Sequence, residues 1–395
     1  DCLLSRGLGD VYKRQGMSVD RRRQIAVSAV DGKLVLAEGA IRVINQGEHD
    51  RATVYDLGVF PPRELATLAV PTSLAGPPQS VAVSPDQRLA VVTAAQTTDP
   101  QCATRTVPDN RVTLIAIEGD AAWVAQTVTA GLGPTGVSFS PDGRRVVVAN
   151  RHDGTLSVFG VEGRTLAALA TVVVGDAHCQ PASTAFTPDG KTLLVSRDGD
   201  HYVSVFDVID GTLQPTDRHL SAGLKPYGLC VAAHGRFAVV ANVGRVSGDA
   251  DSIGVIDLTR KPFRVVDTLG VAATPEAVAI SPDGKWVVAV CHNGSTRTED
   301  SALFHPQGSL IVFRVASDRL VRHAEHAIGR WAQGATFSLD GSVLVVQNTV
   351  ERELQVFRVT DAEGPADSGV RLPISQGSFA AIRTADFTSA PLAAI

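Results

Sequence analysis

GPTGVSFSPDGRRVVVAN, residues 133–150, carries most of the information about the fold. Val137 and Phe139 alternate with Ser138 and Ser140, which is the two-residue period of a strand. Ser140-Pro141-Asp142-Gly143 reads as a tight turn. Pro presets φ, Asp bonds nearby backbone, and Gly accepts positive φ. The apolar run Arg145 to Asn150 then returns, so the stretch is a β-hairpin.

The same pattern recurs along the chain. Its copies are PPQSVAVSPDQRLAVVTA (77–94), QPASTAFTPDGKTLLVSR (180–197), KPYGLCVAAHGRFAVVAN (225–242), TPEAVAISPDGKWVVAVC (274–291) and WAQGATFSLDGSVLVVQN (331–348). QIAVSAVDGKLVLAEG (24–39) reads as a degenerate first copy, which makes seven. Each is followed by a third short strand such as TLSVFGV (155–161), YVSVFDV (202–208) or ELQVFRV (353–359), and then by a fourth such as ATVVVG (170–175). A four-stranded sheet with two apolar faces cannot bury both alone. Radial stacking of seven such sheets buries them and leaves short edges, so the expected fold is all-β, a seven-bladed β-propeller with four antiparallel strands per blade. The expected domain spans 17–395, with repeats starting near 24, 77, 133, 180, 225, 274 and 331. Two routes to ring closure remain open: Val370 to Ile374 as the last outer strand, or the tail GSFAAIRTADF (377–387) pairing near the first blade.

Asp1 to Gln15 has no periodicity and is similar to a translated adapter at the end of a gene assembled from environmental DNA. Residues 1–16 are therefore expected to be non-native or disordered. Net charge is −5, and Arg21-Arg22-Arg23 is too short for a nucleic-acid footprint, so no nucleic-acid partner is expected. No apolar run approaches the roughly 18 residues of a membrane span. Of the five cysteines, Cys230 and Cys291 read as buried strand residues. Cys102 and Cys179 lie in polar loops and could be joined in an exported protein. There is no CxxC pair, P-loop, dinucleotide fingerprint, H-E-x-x-H or G-x-S-x-G, and neither a cofactor nor a metal is expected. His323 and His326 have metal-like spacing, but positions three apart on a strand face opposite ways.

The SPDG…VVVAN…VSVFDV pattern resembles the YVTN-type repeat and the bacterial lactonase-type propellers, over about residues 24–375. The resemblance implies a periplasmic or secreted protein that binds a small molecule, in one form a lactone hydrolase or lactonizing isomerase using His, Arg and Glu. The other reading is a non-catalytic YVTN-type scaffold with a protein partner. The plain turns fall on one face of the ring; the irregular loops and blade links on the other converge on a central funnel, point groups such as Arg151, Asp198, Tyr227 and Glu276 towards it, and carry the candidate site. His178 stands in a blade link comparable to one where the family carries a His, although the family's His-Pro-His run is here His178-Cys179-Gln180-Pro181. The candidate catalytic set is His178, Arg197, Arg245 and Glu299: Arg forks clamp carboxylate or phosphate, and Glu299 or Asp300 activates water near His292. The candidate ligand-binding set is Asn150, His152, His201, Tyr227, Asn242, His292, Arg330, Trp331 and Asn348. Each of these polar groups could equally solvate the rim. The insert His292 to Gly308 and the loop Ala94 to Asn110 are candidate lids.

Overall fold

The computed structural model describes residues 23–44, 49–317, 319–374 and 376–387; the adapter-like segment lies outside them. Seven four-stranded antiparallel sheets form the blades of a propeller ring. Blade 3 shows the plan. Pro134–Phe139 is the inner strand, followed outward by Arg145–Asn150, Thr155–Glu162 and Thr165–Val173. The turn Asp residues cap backbone as expected: Asp142 Oδ1 accepts from Ser140 Oγ and from the Arg144 N–H.

The core lies between blades. Phe159 of blade 3 packs with Leu114 and Val91 of blade 2, beside Val137 and Val146 of its own sheet. The aromatic at this third-strand position recurs as Phe206, Phe313 and Phe357, all buried. Nearer the axis the inner strands crowd. A Cβ on Gly136 would lie 2.4 Å from the Ala182 carbonyl oxygen of the next blade, and one on Gly228 would lie 2.7 Å from that of Glu276. Only glycine lets the backbones approach this closely.

Both closure candidates are used. Gly364–Pro373 is the outer strand of blade 7, and Ser378–Thr384 is the inner strand of blade 1. The latter pairs with Ile25–Asp31 from Ala26↔Thr384 to Asp31↔Ser378. This corrects the reading of residues 24–39 as an inner hairpin. Ile25–Asp31 is paired on both sides, so it is the second strand. Leu34–Ala37 and Ala40–Val43 form a separate hairpin on the loop that follows. Val30-Asp31-Gly32-Lys33 imitates the turn pattern, but Asp31 is fully buried, accepts from the Leu74 and Lys33 N–H groups, and sits 3.2 Å from Lys33 Nζ.

The loop Ala94 to Asn110 is largely strand: Leu89–Asp99 and Cys102–Glu118 run on together as a long arm. Cys102 at its tip and buried Cys179 are both free thiols, so the two are not joined. Cys230 is half-buried rather than core, and lines a cavity of about 190 Å³ at the plain mouth of the channel. Among the described residues, no helix is long and apolar enough to cross a membrane.

Candidate active site

Strand register sorts the funnel residues into two sets. In blades 3, 4, 5 and 7 the last residue of the second strand lies opposite the first inner-strand residue: Asn150↔Pro134, Arg197↔Pro181, Asn242↔Pro226 and Asn348↔Ala332. Side chains here staple the blade. Asn150 Nδ2 donates to Thr155 Oγ1 (2.9 Å) and Ser157 Oγ (3.0 Å). Asn242 Nδ2 reaches Ser252 Oγ and the Ala222 carbonyl, and Asn348 Nδ2 reaches Gln355 Oε1. Arg197 fills the same place, bonded to Ser204 Oγ and paired with Asp200. These four, assigned from sequence to ligand or catalysis, hold strands together.

The neighbouring positions face the funnel. After the second strands come Arg151, Asp198 and His292; second in the inner strands come Tyr227 and Glu276. Blades 3 to 6 therefore bring five polar side chains to one mouth. Arg151 is bidentate to Asp198, with Nη1–Oδ1 at 2.6 Å and Nη2–Oδ2 at 2.7 Å. Its Nη2 also donates to Gln180 Oε1 at 3.0 Å, and its guanidinium carbon lies 6.0 Å from the Tyr227 ring centre. His292 Nε2 is 3.6 Å from Glu276 Oε1 and has no hydrogen-bond partner among the described residues, while the Ala332 backbone bonds the imidazole.

Burial sets the protonation states. It pushes the Glu276 carboxyl up to about 8, with the Asp198 charge adding to the rise and Arg151 opposing it. It pushes the His292 imidazole down to about 4. The Tyr227 phenol is held well above its ordinary range by burial and by Glu276. At neutral pH the mouth thus offers a mostly protonated carboxyl, a neutral imidazole and a neutral phenol beside one guanidinium.

The other sequence candidates stand apart from this cluster. The side chain of His178 is 95% exposed, in a short 3-10 turn (Ala177–Cys179) beyond the Asp176 cap. Arg245 is exposed, and Glu299 lies on the exposed insert 3.8 Å from Arg330. Arg330 also pairs with Glu351. Trp331 is buried in the same cluster as Leu34, Leu36 and Val350, and its backbone N–H donates to Ser295 Oγ. His152 is half-buried beside Arg151, with its imidazole pushed down by burial and that charge. His201 closes the turn after Asp200: its N–H donates to the Arg197 carbonyl at 3.1 Å, with φ +70°. Sequence reasoning counted Arg151, Asp198, Tyr227, Glu276 and His292 among the groups pointing to the funnel, but gave a ligand role only to Tyr227 and His292. Aligning the repeats one column past the strand-end Asn singles out Arg151 and Asp198 from those groups, and the second inner-strand column singles out Glu276.

The channel is crossed below the mouth. Gln79, entering blade 2, donates from Nε2 to the Leu229 carbonyl of blade 5 at 2.7 Å, across the axis. Among the described residues, no group of three or more His, Cys, Asp or Glu side chains is arranged to hold a metal ion.

Residues 78–373 match the family model described as lactonase, 7-bladed β-propeller. The chain belongs to this lactonase family. Among solved structures, this lactonase-family propeller is similar to a candidate 6-phosphogluconolactonase from Bacteroides uniformis (16% identity, TM-score 0.69, 92% of this chain and 99% of that one). It is also similar to the periplasmic gluconolactonase of Pseudomonas aeruginosa (20% identity, TM-score 0.63, 91% and 99%). Kuenenia stuttgartiensis hydrazine synthase shares the shape as well (17% identity, TM-score 0.59, 78% and 90%). At these identities the likeness establishes the fold alone. No curated protein matches the chain in sequence.

Proposed function

We propose that this lactonase-family member is a lactone hydrolase acting on a lactone or sugar-acid-like anionic ring at the funnel. The observation that carries the reading is Glu276: a largely buried carboxyl titrating at about 8, beside Arg151 and His292, at the mouth of a channel crossed by Gln79. A base is most effective when its pKa lies near the working pH. In its ionised form Glu276 takes a proton from water as the water oxygen bonds to the lactone carbonyl carbon. Arg151 still has one Nη1 proton and its Nε proton for the oxyanion that forms. When the ring C–O bond breaks, Glu276 returns the proton to the leaving oxygen, giving the open hydroxy acid. His292, with Nε2 free to accept, orients the water or the protonated Glu276. Asp198 and Gln180 hold the guanidinium in place.

The test is hydrolysis of five- and six-membered sugar lactones, with and without phosphate, followed by acid release across pH. The expected kcat/KM rises with pH towards a limb near 8 and is lost in Glu276→Gln. If the folded protein gives rates no higher than that variant with every substrate, the hydrolase reading fails. The alternative of a non-catalytic binding or interaction scaffold would then take its place.

A further inference from the structure

The face opposite Glu276 holds a groove between blades 5 and 6 of about 400 Å³, within the size range of small-molecule sites. Phe237, Val255, Val315 and Leu320 form its apolar lining, with Arg236, Arg260 and Arg319 around them. None of these three arginines makes an ion pair with another described residue. The single carboxylate among the described lining residues, Asp257, accepts from the N–H and Oγ1 of Thr259. Those bonds hold its carboxyl below the ordinary range, with the fields of Arg260 and Arg236 adding to the effect. Among the described residues, one carboxylate faces three guanidinium groups, which makes this part of the groove cationic.

Sequence and structure agree on why charge accumulates here. In the other hairpin turns an Asp caps the N–H two residues on: Asp86 caps Arg88, Asp142 caps Arg144, Asp189 caps Lys191 and Asp283 caps Lys285. In blade 5 this Asp is replaced by His234, whose Nδ1 accepts from the Arg236 N–H at 3.2 Å. The turn keeps its shape and loses its negative charge at the groove. The same imidazole lies 5.4 Å from the Phe237 ring, which adds a flat surface. The groove between blades 3 and 4 is a contrast: its Arg145, Lys191 and Lys261 are matched by Asp142, Asp189, Asp207 and Asp210, with Lys261 paired to Asp207.

We propose that the blade 5–6 groove binds a small organic phosphate. Arg236, Arg260 and Arg319 hold the phosphate, and a ring-sized apolar body lies against Phe237, Val255, Val315 and Leu320. Guanidinium forks suit phosphate oxygens, and the lining suits a ring rather than a bare ion. The site is independent of turnover at Glu276.

The test is calorimetric titration of the full chain with adenosine 5′-monophosphate and phenyl phosphate, with inorganic phosphate and adenosine as half-ligands. The ring phosphates are expected to bind better than either half. Their affinity should fall at least about tenfold in Arg236→Ala/Arg260→Ala with the melting temperature retained, and should be unchanged in Arg151→Ala. Failure of both ring phosphates to bind with a Kd below about 1 mM would overturn the proposal. So would affinity that survives the double substitution, or that falls only in Arg151→Ala.

Discussion

Glu276→Gln should make the protein more stable, and by an amount that grows with pH. In the unfolded chain a glutamate ionises near its ordinary value of 4.5; in the folded protein burial delays ionisation to about 8. Between these values the folded state binds a proton that the unfolded state has released. The stability contributed by this group is therefore full below pH 4.5 and is lost as pH rises towards 8. The slope is roughly 1 to 1.5 kcal/mol for each pH unit, and the whole window amounts to roughly 4 to 5 kcal/mol. Gln has nearly the same shape and does not titrate, so other titrating groups largely cancel in the difference between the two proteins. Urea unfolding of both from pH 4 to 9 should show the variant's advantage growing across the window and levelling off above pH 8. A difference that stays flat with pH would refute the claim that Glu276 is held protonated by burial.

Further outcomes test other parts of the structure. Arg151→Met should lower kcat/KM for a hydrolysed lactone about 100-fold or more, as loss of an oxyanion donor does, with little change in near-ultraviolet circular dichroism. Phe357→Ala should cost about 3 to 5 kcal/mol in urea unfolding, because it opens a cavity between blades 6 and 7. Native protein treated with a maleimide should label Cys102 and leave Cys179 and Cys291 unmodified, since only the first of these three is not buried. Equal labelling of Cys179 would contradict its burial.

The ring was legible because its signal is repeated: the hairpin turn, the period of two and the third-strand aromatic recur at regular spacing, and each copy corroborates the others. The exception is instructive. Residues 24–39 carry the same apolar–Asp-Gly–apolar pattern, and Asp31 even caps the Lys33 N–H as a turn Asp does, yet it ends a second strand and is buried beside Lys33, and only strand pairing distinguishes the two. The site was less legible for a related reason. Asn150, Arg197, Asn242 and Asn348 are conspicuous polar residues at strand ends, while Arg151, Asp198 and Glu276 beside them look like ordinary loop charges. Which of two adjacent side chains turns to the funnel is decided by register. Burial, which raises Glu276, follows from the crowding of inner strands and has no local sequence mark.

The closing of blade 1 bears on how the chain is made. Ile25–Asp31 is synthesised well before its inner partner Ser378–Thr384, with the rest of the ring between them. Until then the first and last blades each lack a neighbour, and the inner edge of Ile25–Asp31 has unpaired backbone groups. Such an edge is a template for pairing with another chain. Pairing of such distant segments is also slow to form. The nascent protein therefore stays open to misassembly while the blades between these two strands are made, until one short strand seals the ring.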